Sequence, residues 1–150
     1  MTEPTTFLLH RVVSELDAYA DTVLRQDYGV TFATFNFLAS ASTLPGLDVT
    51  ALARCAGMSK AAASKRLPAL VRDGMLTASP DPHHGRRLRI DLTPRALALV
   101  EHATERLERE FAAMLASRPG LDESVLRVQL DGLAQALEAL PAPTPTSGES

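Results

Sequence analysis

Residues 59–74 read SKAAASKRLPALVRDG, and residues 75–96 continue MLTASPDPHHGRRLRIDLTPRA. The first stretch opens on Ser59, a residue that caps helices, carries an inner apolar set of Leu67, Leu70 and Val71, and stops at Gly74. In the second stretch the period changes. Arg87 to Leu92 alternates charged residues with Leu88, Ile90 and Leu92, the pattern of a half-buried strand. Met75 to Ser79 supplies a partner strand, and residues 80–85, PDPHHG, the loop of a hairpin. Thr93-Pro94 then starts a helix, with a cap residue followed by proline at the first helical position. A glycine-ended helix followed at once by a hairpin is the second half of a winged helix-turn-helix.

Upstream, Thr50 is placed to cap a short helix from Ala51 to Ala56 that Gly57 breaks, which gives the first helix of the helix-turn-helix. Pro45-Gly46 is a turn, and before it Thr31 caps a helix from Phe32 to Ser42 with Phe32, Phe35 and Leu38 on its inner face. The first helix runs from Phe7 to about Gln26. Its apolar stripe is Leu9, Val12, Leu16, Tyr19 and Val23, and Gly29 ends it. Downstream of Thr93 a long helix carries Leu97, Val100, Thr104, Leu107, Phe111 and Met114 in a coiled-coil-like seam. Arg118-Pro119-Gly120 breaks it, and a last helix from Asp122 repeats leucine at 126, 130, 133, 137 and 140. The seams of the outer helices are longer than so small a core can cover, and a second copy of the chain is the economical partner.

The fold class expected is therefore mainly α: a winged helix-turn-helix with a small β-hairpin wing and flanking N- and C-terminal dimerisation helices. The expected organisation is a single domain over residues 1–150. Residues 7–28 and 94–140 form the dimerisation helices, 31–93 the winged helix-turn-helix, and the Pro/Ser/Thr-rich tail, 141–150, is disordered.

Composition sets the functional class. The chain has 150 residues, 45% of them apolar, and a net charge of -3. The charge is unevenly spread: Arg54 to Arg95 holds nine bases (Arg54, Lys60, Lys65, Arg66, Arg72, Arg86, Arg87, Arg89, Arg95) against three acids (Asp73, Asp81, Asp91), while both flanks are acidic. A basic centre of this kind suits a local phosphate-binding face, and on charge alone a solvated basic surface is an equal reading. No run approaches the ~20 apolar residues of a membrane span, and MTEPTTFLLHRVVSELD lacks the basic start of a secretion signal. The single cysteine, Cys55, excludes an internal disulfide framework. A cytoplasmic protein without a cofactor is the simplest reading. No paired-carboxylate, Cys/His or Gly-rich phosphate constellation stands out, so an enzyme is not expected.

In a helix-turn-helix the second helix enters the major groove with its N-terminal residues against base edges. Here Lys60, Ala61, Ser64 and Lys65 form that face, since 60/64 and 61/65 are i, i+4 pairs, with Ser59 and Arg66 at its margins. Small residues permit close approach, and serine and lysine can contact bases or phosphates. Pro68, inside this helix, removes a hydrogen bond to the Ser64 carbonyl, and the sequence leaves open whether it directs the helix or is merely tolerated. Arg86 at the hairpin tip and Arg87 beside it are candidates for an adjacent minor groove and its phosphates.

Residues 30–96 resemble the MarR family of regulators. The resemblance is carried by VTFATFNFLASAS (30–42), LARCAGMSKAAASKRLPALVRDGML (52–76) and DPHHGRRLRIDLTPRA (81–96). It implies a homodimer on a pseudo-palindromic double-stranded DNA operator, acting as a repressor that a small, aromatic or anionic effector releases. It also implies that Ser64 and Lys65 stand where the family contacts bases and phosphates, and that Arg86 matches a groove-entering arginine. The family's usual wing has Asp-x-Arg, and here His84 stands in the place of the orienting aspartate.

Other signals are weaker. Cys55 reads as a packed or half-exposed thiol rather than a sensor. His83 and His84, adjacent on a loop without a third ligand, do not make a metal site. His10 and Arg11 on the first helix are candidates to meet an anionic effector, and Phe35, which reads first as core, is a further one. The alternative function is a ligand-binding or protein-interaction module that keeps the winged-helix scaffold without specific DNA binding.

Overall fold

The computed structural model describes residues 3–141, so all of the tail expected at 141–150 except Pro141 lies outside the described residues. Six helices and one hairpin follow in the order α1 (Thr5–Tyr28), α2 (Phe32–Ser42), α3 (Val49–Cys55), α4 (Lys60–Arg72), β1 (Leu76–Asp81), β2 (His84–Leu92), α5 (Pro94–Ala116) and α6 (Glu123–Glu138). The chain forms two compact units, divided within α5 between Leu107 and Glu108.

In the first unit the winged helix packs around Phe37, Leu38, Leu52, Leu67, Leu70, Leu76 and Ile90. On α2 the fully buried residues are Phe37 and Leu38, while Phe32 and Phe35 are only half-buried. The sequence missed Phe37 because α2 is apolar nearly all round and its periodicity does not single out one face. On α4, Ala63 joins Leu67 and Leu70 in the core, whereas Val71, expected inside, is exposed. A second cluster holds α1 to α5 through Ala20, Leu24 and Ala103, and the Tyr28 hydroxyl donates to the His102 carbonyl at 3.1 Å. The buried stripe of α5 in this unit is Ala96, Val100 and Ala103. Leu97, at the start of the expected seam, faces out at 48% exposure.

Helix boundaries follow from caps. Ser59 Oγ accepts from the Ala62 N–H at 3.1 Å, and Thr31 Oγ1 from the Thr34 N–H at 3.0 Å. For α3 the cap is Asp48, which accepts from the Ala51 N–H at 2.7 Å, so the helix starts earlier than a cap at Thr50 would place it. Gly74, at φ 71°, takes the left-handed geometry that lets the chain leave α4 directly into β1. Thr93 Oγ1 accepts from the Ala96 N–H at 3.2 Å to cap α5, and donates to the Gly74 carbonyl at 2.7 Å, which locks the exit of the wing to the end of α4.

The hairpin is longer than expected. β1 continues through Pro80 and Asp81, and β2 begins at His84, so only Pro82 and His83 are left for the turn. The ladder is antiparallel from Leu76↔Leu92 to Pro80↔Leu88 and then jumps to Asp81↔His84, which leaves residues 85–87 as a bulge without cross-strand partners. Ile90 is fully buried, but Leu88, expected on the inner face, is exposed because β2 there has outrun the core. A feature absent from the sequence reading is a bridge from Leu47 to Ile90, with the Ile90 N–H donating to the Leu47 carbonyl at 2.9 Å.

In the second unit, α6 is capped by Asp122 through the Val125 N–H at 3.1 Å and contains no buried residue. Of the leucines expected in its seam, Leu126 is half-buried and Leu130, Leu133 and Leu137 are exposed.

The cap assignment is directly testable. Asp48→Ala is expected to lower stability by ~1 kcal/mol, and Thr50→Ala to change it by less than about 0.5 kcal/mol. Chemical denaturation of the two variants checks this, and equal losses would return the cap to Thr50.

Candidate nucleic-acid interface

The turn between α3 and α4 presents the N-terminus of α4 to solvent. Ser59, Lys60, Ala61, Ser64 and Lys65 are all exposed on it, and Arg66 lies half-buried at the margin. The helix runs unbroken through Pro68, whose side chain is itself exposed. Proline has no N–H to give the Ser64 carbonyl, so one backbone hydrogen bond is missing from the helix there.

The basic residues of this region fall into two groups. Arg72 lies 3.9 Å from Asp73, Arg87 3.7 Å from Asp48, and Arg89 2.8 Å from Asp91, while Arg95 donates to the Asp73 carbonyl at 3.1 Å. Among the described residues, Arg54, Lys60, Lys65, Arg66 and Arg86 have no carboxylate within bridging distance. The unpaired group lies at the end of α3, on α4 and on the wing bulge, where cations free of internal partners can meet an external anion. Arg54, at the end of α3, belongs with it, and the sequence reading counted that residue only in the net charge.

The two wing arginines differ in the same way. Arg86 sits in the bulge with no partner among the described residues, whereas Arg87 is turned toward Asp48 on the helix-turn-helix. His84 is in β2 opposite Asp81, and the Asp81 carboxylate accepts from the His83 N–H at 2.9 Å, closing the turn.

A cleft of about 950 Å³ opens behind α4, within the first unit. Tyr28, Thr31 and Thr34 line it on the α1–α2 side, Lys65 and Arg66 on α4, and Arg95 at the start of α5. The residues that the sequence offered for an effector are elsewhere. His10 is exposed on α1, and Arg11 is engaged by Glu3 at 2.9 Å and Glu15 at 3.4 Å, the Glu3 hydrogen bond being the main cause of its raised pKa. Phe35 packs against the two core clusters and does not line the cleft. Cys55 is exposed, where a packed or half-exposed thiol was expected.

The model of the MarR family matches residues 28–87, which span α2, the helix-turn-helix and the wing arginines. No curated protein sequence matches. Among solved structures, the Mycobacterium tuberculosis transcriptional regulator MosR in complex with DNA is 27% identical, with a TM-score of 0.64 and coverage of 91% of this chain and 98% of that one. A Mycobacterium tuberculosis MarR-family protein in complex with p-aminosalicylic acid is 26% identical, with a TM-score of 0.70 and coverage of 88% and 99%. The Staphylococcus aureus MepR–DNA complex, 20% identical at a TM-score of 0.73 over 91% and 99% of the two chains, shares the fold. The family match over residues 28–87 and these likenesses along most of the chain support a winged-helix, DNA-binding transcriptional regulator similar to those of the MarR family.

Proposed function

We propose that the chain is a ligand-responsive repressor that binds a pseudo-palindromic operator as a homodimer. The observation that carries the DNA reading is the sorting of its cations. Lys60 and Lys65 on the leading face of α4, and Arg86 on the wing, are exposed and without partners among the described residues, in a segment where Arg72, Arg87 and Arg89 are paired. In this reading α4 lies in the major groove, with Ser64 and Lys65 toward base edges and Ser59, Lys60, Ala61 and Arg66 along the groove walls. Arg86 enters the neighbouring minor groove, where narrow A·T-rich sequence concentrates negative potential.

The homodimer reading rests on apolar surface that each unit leaves uncovered. On α1, Phe7 is 64% exposed and Val13 54%, and on α6 Val128 is 72% exposed and Leu137 59%. Apolar residues repeated along whole helices at this exposure mark an association surface, and a second copy satisfies it symmetrically.

For the effector, the cleft behind α4 combines three cations, Lys65, Arg66 and Arg95, and one carboxylate, Asp73, with Tyr28, Leu70 and Met75, a net positive lining. That chemistry suits a small aromatic anion, the class to which the p-aminosalicylic acid held by the Mycobacterium tuberculosis relative belongs. A carboxylate there draws Lys65 and Arg66 toward the cleft and away from DNA.

Selection of bound genomic fragments followed by titration tests the function. One short duplex should bind far more tightly than its scrambled version, with an affinity that falls steeply with salt. Equal binding of both sequences would leave only a charged surface. Lys65→Ala and Ser64→Ala should each weaken specific binding by ~1–3 kcal/mol per half-site if the side chain reads a base. If Lys65 touches only phosphate, affinity falls alike for all sequences and the salt slope becomes shallower. For assembly, sedimentation should show a dimer at micromolar concentration, and a stable monomer there would contradict the homodimer.

A further inference from the structure

Three consecutive residues between α2 and α3, Gly46, Leu47 and Asp48, are docked along β2 by three separate contacts. The Gly46 N–H donates to Asp91 Oδ1 at 2.7 Å. The Ile90 N–H donates to the Leu47 carbonyl at 2.9 Å, with both side chains buried. Asp48 Oδ2 lies 3.7 Å from the Arg87 guanidinium. The two aspartates divide their oxygens in the same way. Asp48 gives one to the Ala51 N–H at the start of α3 and turns the other toward Arg87. Asp91 gives one to the Gly46 N–H and the other to Arg89 Nε at 2.8 Å.

The Arg89–Asp91 pair holds the carboxylate that receives the Gly46 N–H. Its hydrogen bond is the largest cause of a lowered Asp91 pKa and a raised Arg89 pKa. The Arg89 side chain also lies directly over Gly46. A Cβ at that position would meet Arg89 Nε at 3.0 Å, and the backbone there has φ +68°. A glycine in left-handed geometry thus lets the guanidinium close over the turn while its partner carboxylate takes the N–H of the same residue.

We propose that Arg89 and Asp91, seconded by Arg87 and Asp48, are positioning residues that clamp the wing to the helix-turn-helix and set where Arg86 meets DNA. The proposal deepens the DNA-binding reading above and rests on it. It assigns different tasks to neighbouring arginines. Arg86, in the bulge at 85–87 and without a partner, is the groove contact. Arg87 and Arg89 hold the strand that carries it. The clamp also supplies what an aspartate at position 84 would otherwise help to give, a fixed course for the chain around Arg86. Without it the hairpin would be tied to the body mainly through the Ile90–Leu47 bond and the Thr93 contacts at its base.

The test is a double-variant cycle on the full-length protein with two operator duplexes that differ only in A·T-rich or G·C-rich flanks. Arg86→Ala should weaken binding to the A·T-flanked duplex about tenfold, or 1.4 kcal/mol, and abolish the preference between flanks. Asp91→Ala and Arg89→Met should reduce the same flank preference while the protein stays folded by thermal unfolding. Adding either to Arg86→Ala should cause little further loss, because a residue that acts through Arg86 has nothing left to position. Arg87→Ala should weaken binding without making the salt slope shallower, since no phosphate contact is lost. If Asp91→Ala does not fold, Asp91→Asn, which keeps an acceptor for Gly46, carries the same comparison with Arg89→Met. Folded clamp variants that keep the full flank preference, or losses that add fully to that of Arg86→Ala, would overturn the clamp while leaving the DNA reading intact. An Arg86→Ala that keeps both affinity and preference would overturn the wing contact, and the positioning role with it.

Discussion

The bond from the Ile90 N–H to the Leu47 carbonyl joins two parts of the chain that sequence distance keeps apart, and the DNA-facing architecture depends on it. On one side of it lie the α2–α3 turn and the cap of α3, on the other the second wing strand. Because both side chains are buried, the bond is shielded from water and the wing cannot swing away without opening the core. The ion pairs around it are exposed and individually weak. Their effect comes from converging on three adjacent residues whose backbone is already fixed.

The same junction explains how one short segment serves two surfaces. α4 presents its leading face outward, and its other side closes the cleft behind it, so Lys65 is exposed at the edge of both. In the proposed function a ligand in the cleft and a phosphate in front of the helix would draw on the same cation. Thr93 ties the base of the wing to the last turn of that helix through the Gly74 carbonyl, so a shift of α4 reaches the wing through hydrogen bonds rather than through loose chain.

Much of the architecture was legible in the sequence. Ser59, Gly74 and Thr93-Pro94 mark boundaries by local chemistry that does not depend on the rest of the fold, and the structure places element ends at each of them. The alternation ending at Leu92 gave a strand for the same reason. What could not be read depends on long-range contact. Thr50 and Asp48 are both good caps by composition, and only the position of Ala51 relative to the Asp48 carboxylate decides between them. Arg86 and Arg87 are equivalent in sequence, and only the fold, by bringing Asp48 close to one of them, separates a free cation from a paired one. The ion pair of Arg11 with Glu3, eight residues away, was likewise not legible in the sequence. Phe37 was hidden by an α2 that is apolar nearly all round.

The central claim is that α4 and the bulged wing act on DNA as one rigid surface. A crystal structure of the full chain with its selected operator measures this most directly. The account predicts the N-terminal face of α4 in the major groove, Arg86 in the flanking minor groove, and the Gly46–Asp91, Leu47–Ile90 and Arg89–Asp91 contacts retained as in the free protein. A complex in which DNA meets another face, or in which the wing has left the α2–α3 turn to reach it, would contradict the account.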